Sequence, residues 1–214
     1  MIFDIDGTLL ATDRFWLDIG RNAVRRVYAR HDIDEPLPDD RRFLDAIGQP
    51  MPVFWQQILP PERHPLRDEI ESEAQELEGV AFAKGHGAMY PGARALLDEL
   101  HAAGRTLGLA SNCGQRYLDG FLDAFGLDRV IAEARCVDSP GIDTKGDMIA
   151  DILASTGLER AVMIGDRDSD RVAARANRVP FILFAGGFGQ PPATDGDRVV
   201  QDYGELRTLL LGID

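Results

Sequence analysis

Short apolar runs recur along this chain, each closing on polar or glycine residues, at positions 1–3, 106–110, 161–164 and 180–184, with a shorter one at 198–200. Runs of this length without polar alternation predict strands buried on both faces. Between them the apolar residues step at helical spacing: Ala93, Leu96, Leu97 and Leu100, then Tyr117, Leu118, Phe121, Leu122 and Phe125, then Met148, Ile149, Ile152 and Leu153. Strands alternating with helices specify an α/β fold, a Rossmann-like core around a parallel sheet. Open parallel sheets bind ligands beyond the carboxyl ends of their strands. Three polar clusters fall there: positions 4–8, 111–113 and 165–170.

Residues 13–88 break the rhythm. Helical patterns at 15–29, 39–47, 53–59 and 66–83 follow one another with no strand between them, which predicts an inserted α-helical cap domain. The core is then 1–12 plus 89–214. Thr12-Asp13 and Gly85-His86-Gly87 mark the connections, with the glycines as hinges, while Pro50, Pro52, Pro60, Pro61 and Pro65 interrupt the interior. A plain helical layer on the core is the alternative. Only three residues precede Asp4, so the first strand is unusually short and weakens its place in the sheet.

Charge narrows the partners. Asp and Glu outnumber Lys and Arg by 36 to 23, a net charge of -13 that repels nucleic acid and anionic lipid. No apolar stretch approaches the roughly 20 residues of a membrane span, and no basic segment leads into a hydrophobic run at the amino terminus. A cytoplasmic protein is expected, as a monomer or homodimer. Cys113 and Cys136 are the only cysteines, which favours reduced thiols over a disulfide framework.

Chemistry concentrates at the first strand's end, where Asp4 and Asp6 stand two apart ahead of Gly7 and Thr8. Carboxylates gathered this closely call for a cation or a shared proton. The run Met-Ile-Phe-Asp-Ile-Asp-Gly-Thr resembles the Asp-x-Asp-Gly-Thr signature of the haloacid dehalogenase-like superfamily, whose members are mostly phosphate-ester hydrolases working through an aspartyl-phosphate. Later segments resemble its other motifs. Leu-Gly-Leu-Ala-Ser-Asn at 107–112 offers Ser111 and Asn112 for the phosphoryl group, and Gly-Asp-Arg-Asp-Ser-Asp at 165–170 offers Asp166 as metal ligand. Lys145, the only Lys between Pro91 and Phe188, fits the motif that neutralises nucleophile and phosphate, although Gly146 follows it where many relatives carry Pro.

The resemblance implies roles. Asp4 attacks phosphorus, while Asp6 protonates the leaving alkoxide and later activates water. Thr8 orients the loop and hydrogen-bonds near Asp6. Asp4, Asp166 and the Asp6 carbonyl hold Mg2+, Asp170 supports them from behind, and Asp168 is solvated. Asp6 also argues against a dehalogenase, which needs no leaving-group acid. The helical insertion, together with Tyr90-Pro91-Gly92 and Gly186-Gly187-Phe188-Gly189, is similar to the phosphoglycolate phosphatase-like branch with its C1 cap. The expected substrate is a small phosphorylated metabolite, its non-phosphate end read by cap residues among Trp16, His31, Arg41, Arg42, Gln49 and Trp55. A beta-phosphoglucomutase-like transfer and phosphonatase chemistry share the core motifs, and Lys84 is the cap's only Lys. A catalytically silent phosphate-binding regulator is the non-enzymatic alternative.

Overall fold

The computed structural model describes residues 1–49, 51–189 and 191–212, so Pro50, named above as a helix interruption, lies outside the described residues. The chain forms two compact units. One comprises Met1–Ala11, Ala88–Ser111 and the described residues from Gly126 onward; the other comprises Thr12–Gly87 and Asn112–Phe125.

The first unit is built on a parallel six-stranded sheet of β1 (Ile2–Phe3), β2 (Gly108–Ala110), β3 (Glu133–Arg135), β4 (Met163–Gly165), β5 (Phe181–Phe184) and β6 (Arg198–Val200), in the order β3-β2-β1-β4-β5-β6. β1 is central, with Ile2 opposite both Gly108 and Met163. Its shortness therefore falls in the middle of the sheet. Backbone bonds from Ile2 to Val162 (2.8 Å) and from Asp4 to Ile164 (2.9 Å) extend the ladder up to the first acid. The order reverses at β1, with β2 on one side and β4 on the other, which opens the crevice that parallel sheets use for ligands.

Alternation along the strands sets the two faces. Ile2, Ala110, Met163, Phe181 and Leu183 pack with Met148, Ile149 and Ile152 of α7 (Lys145–Thr156) and with Ala173 and Ala174 of α8 (Asp168–Ala176). Phe184, one residue on from Leu183, points the other way. It meets Tyr90 at 5.3 Å and, at 5.0 Å, Tyr203 of α9 (Tyr203–Leu211), a helix that also contacts α5 (Ala93–Ala102). α7 begins at a capping box: the Thr144 hydroxyl accepts from Asp147 N at 3.2 Å, and the Asp147 carboxylate accepts from Thr144 N at 2.8 Å. That cap makes Lys145 the first residue of the helix.

The second unit is helical: α1 (Trp16–Arg30), α2 (Asp40–Ala46), α3 (Met51–Ile58), α4 (Arg67–Ala83) and α6 (Gln115–Phe125), with 3-10 turns at Thr12–Arg14 and Pro61–Leu66. Trp16, Phe54 and Trp55 form a packed aromatic group, Trp16 edge-on to Phe54 at 4.8 Å. Glu73, buried on α4, accepts from Arg26 at 2.8 Å and Arg30 at 2.7 Å, which ties α4 to α1. α6 follows β2 in sequence and was expected in the core, but it groups with the helical unit. The reason is side-chain packing, because α6 lies along α4 with Tyr117 edge-on to Phe82 at 5.3 Å.

Candidate active site

Three acids of the site sit at ends of regular elements. Asp4 follows β1, Asp166 follows β4, and Asp170 lies in the first turn of α8. All three are buried, and one carboxylate oxygen of each lies within 4.8 Å of the others. Lys145 joins them from the start of α7, donating to Asp4 Oδ1 at 2.7 Å and to Asp170 Oδ1. Three carboxylates thus gather around one ammonium, which bonds two of them, while the Arg167 charge acts on Asp166.

That imbalance shapes the titration. Burial raises the Asp4 carboxyl well above its ordinary range; Lys145 opposes the rise, while Asp170, Asp166 and Asp6 add to it. Burial and then Asp170 lift Asp166 to about 7, against the N–H of Gly189. Burial works against the Lys145 charge, but Asp170 and Asp4 outweigh it and hold the ammonium pKa above its usual value.

The fit to a hard cation rests on individual oxygens. Asp170 has both of its oxygens engaged, Oδ1 by Lys145 and Oδ2 by Arg167 N at 3.0 Å. Asp166 Oδ2 accepts from Gly189 N at 2.7 Å, whereas Asp166 Oδ1 is buried with no hydrogen-bond partner among the described residues. A buried, unpaired carboxylate oxygen beside two further carboxylates is costly unless a cation completes it. Gly7, at φ 82, lies so close that any Cβ there would overlap the Asp166 carboxylate. The loop behind Asp6 is therefore pressed against the acid.

The remaining predicted residues surround this cluster unequally. Asp6 is buried in the same loop and raises the Asp4 pKa, but its carboxylate is not among the three that gather. Ser111, just past β2, is 1% exposed and its hydroxyl has no partner among the described residues. Thr8 was expected to hydrogen-bond near Asp6. Its buried hydroxyl instead finds no partner among the described residues, and its carbonyl accepts from the Tyr203 hydroxyl at 2.8 Å. Asn112 is engaged elsewhere, its amide donating to Gly48 O at 3.1 Å within the helical unit. Asp168 is largely exposed and pairs with Arg171. Sequence reasoning named Gly189 only within the run 186–189 similar to the phosphatase branch and gave its N–H no part in the site, and it missed Tyr203, which reads simply as a core aromatic.

A family model described as haloacid dehalogenase-like hydrolase matches residues 1–184. The chain belongs to this family. The phosphoglycolate phosphatase of Pseudomonas fluorescens is 26% identical over 229 residues, spanning 99% of this chain and 78% of that protein. The tyrosine-protein kinase PtkA of Mycobacterium tuberculosis is 28% identical over 207 residues, 91% of this chain but 65% of its own length. A predicted phosphoglycolate phosphatase from Haemophilus somnus superposes with a TM-score of 0.81 at 19% identity, covering 97% of this chain and 96% of that one, a likeness of fold. No described helix is long and apolar enough to cross a membrane.

Proposed function

We propose that this haloacid dehalogenase-like hydrolase is a Mg2+-dependent phosphatase that cleaves a small phosphomonoester through an aspartyl-phosphate on Asp4. The observation that carries this reading is the gathering of three buried carboxylates, two of them bonded to one lysine, beside the hydroxyls of Ser111 and Thr8, which have no partner among the described residues. Mg2+, held by Asp4, Asp166 and the Asp6 carbonyl, would when bound neutralise charge between the nucleophile and the phosphoryl oxygens. Asp4 attacks phosphorus in line and the leaving alkoxide takes a proton from Asp6. Water, deprotonated by Asp6, then cleaves the acyl phosphate and restores Asp4. Ser111 and Thr8 donate to phosphoryl oxygens. Lys145 holds Asp4 in place and opposes the charge that builds on the transferred group.

The relatives named phosphoglycolate phosphatase make 2-phosphoglycolate the first substrate to test. Lys84 caps α4 in an exposed position, and an exposed lysine lacks the desolvation that activates an amine for a Schiff base, which disfavours phosphonatase chemistry. Phosphate release from a panel of small phosphomonoesters, with Mg2+ and with EDTA, tests the reading. Turnover that requires Mg2+ and selects a compact anionic substrate is expected. Phosphate binding without release from any ester would leave the silent regulator as the better account.

A further inference from the structure

Asp166 is held in a way the core motifs do not explain. Its Oδ2 accepts the Gly189 N–H at 2.7 Å, and Oδ1 is left buried and unpartnered among the described residues. The donor belongs to the turn 186–189 after β5, some twenty residues along the chain. That turn approaches Asp166 closely enough to exclude side chains. A Cβ on Gly187 would overlap the Gly7 carbonyl oxygen and stand 2.6 Å from Asp166 Cβ, while one on Gly189 would overlap the Asp166 carbonyl and stand 2.7 Å from Arg167 Cγ. Between these glycines, Phe188 lies under the Arg167 guanidinium, 5.4 Å from its ring centroid. The contacts run from both sides: Gly187 touches the loop that carries Asp4 and Asp6, and Phe188 is pinned by the residue after Asp166.

We propose that the turn 186–189 is a positioning device for the cation site, in which the Gly189 N–H fixes one oxygen of Asp166 so that the other is presented as a single ligand. Gly187 sets the distance and the Phe188–Arg167 stack keeps the turn seated. The inference rests on the reading of Asp166 as a metal ligand. An acid with one oxygen tied down coordinates through the other alone, and it loses no side-chain freedom when the ion arrives. Groups that orient ligands in this way govern affinity nearly as strongly as the ligands themselves.

Calorimetric titration of the full chain with Mg2+ is the test, on the wild type and on Gly187→Ala and Gly189→Ala, alongside melting temperatures without metal. Wild-type binding weakened about 10- to 100-fold in either folded variant is expected, the usual consequence of disturbing a ligand's orienting partner. A purely structural role predicts the opposite pattern, a lower metal-free melting temperature with unchanged Mg2+ affinity in the folded protein, and that result overturns the proposal. Should both glycine variants fail to fold, Phe188→Ala decides, because it loosens the turn without adding an atom. Weaker binding supports the device and unchanged binding refutes it. Absence of Mg2+ binding by the wild type would instead overturn the metal reading itself.

Discussion

The two units bury acids on opposite terms. In the helical unit Glu73 is answered by Arg26 and Arg30, and their hydrogen bonds hold its carboxyl below the usual range despite some desolvation. In the sheet unit Asp4 and Asp170 share Lys145, one oxygen of Asp166 has no hydrogen-bond partner among the described residues, and burial drives Asp4 and Asp166 upward. A structural carboxylate is supplied with its counter-charge by the fold, whereas a working site leaves charge unanswered for something that binds. The shortfall of positive charge marks the site as clearly as the motifs do.

The largest expected effect comes from removing the attacking oxygen. Asp4→Asn should lower phosphate release by at least ~1000-fold, in the range seen when a covalent nucleophile is lost. Its metal-free melting temperature should hold or rise, since one member of the crowded acid group is gone. A folded variant with wild-type turnover would remove Asp4 from the nucleophile's role and break the contrast at its centre.

Next is the metal. EDTA should silence the enzyme reversibly, and the thermal stabilisation by Mg2+ should depend on pH. The folded Asp166 carboxyl titrates at about 7, above its ordinary 3.8, so its contribution to metal-free stability is full below the ordinary value and is lost as pH rises through the folded one. An ion that favours the ionised carboxylate offsets that loss. The Mg2+-induced rise in melting temperature should therefore be small near about pH 5 and larger near about pH 8. An equal rise at both would show that these acids do not meet the ion.

Glu73→Gln probes the balanced region with the opposite sign. The lowered carboxyl pKa adds stability above the unfolded value that is lost as pH falls through the folded one. The variant should be less stable than wild type by about 1–2 kcal/mol at neutral pH, because the arginines are half exposed and the pair is screened. The gap should close in acid, and turnover should barely change. Chemical denaturation at several pH values measures it. Smallest of all is Asp168→Asn. Its exposed carboxylate pairs with Arg171, which also meets Asp197, so activity and stability should shift within about 0.5 kcal/mol. A large loss would move Asp168 from solvent into the site.

Much of the sheet was legible because burial on both faces writes strands as continuous apolar runs. β3 was not. Glu133, Ala134 and Arg135 form an edge strand paired only to β2, half-buried and carrying an ion pair, so no apolar run announces it. The acids, Ser111 and Lys145 could be read because motif residues sit where strands end and helices start. The run 186–189 was read as a resemblance, but the part Gly189 plays was not, since its contribution is a backbone donor placed by a distant turn. The place of α6 was hidden for another reason: its apolar residues repeat equally well whichever partner they meet, and only Phe82 against Tyr117 reveals the choice.

That choice by α6 limits what can be exchanged between relatives. The chain passes from one unit to the other at four places rather than two, near residues 11–12, 87–88, 111–112 and 125–126. A graft that replaced only 12–87 would hand the new helices a foreign α6, with Tyr117, Leu118 and Phe121 buried here and shaped to this set of neighbours. Exchange of the helical unit between members of this family should thus succeed when the helix after the second strand travels with the donor. Homologous segments should change together even though they are remote in sequence.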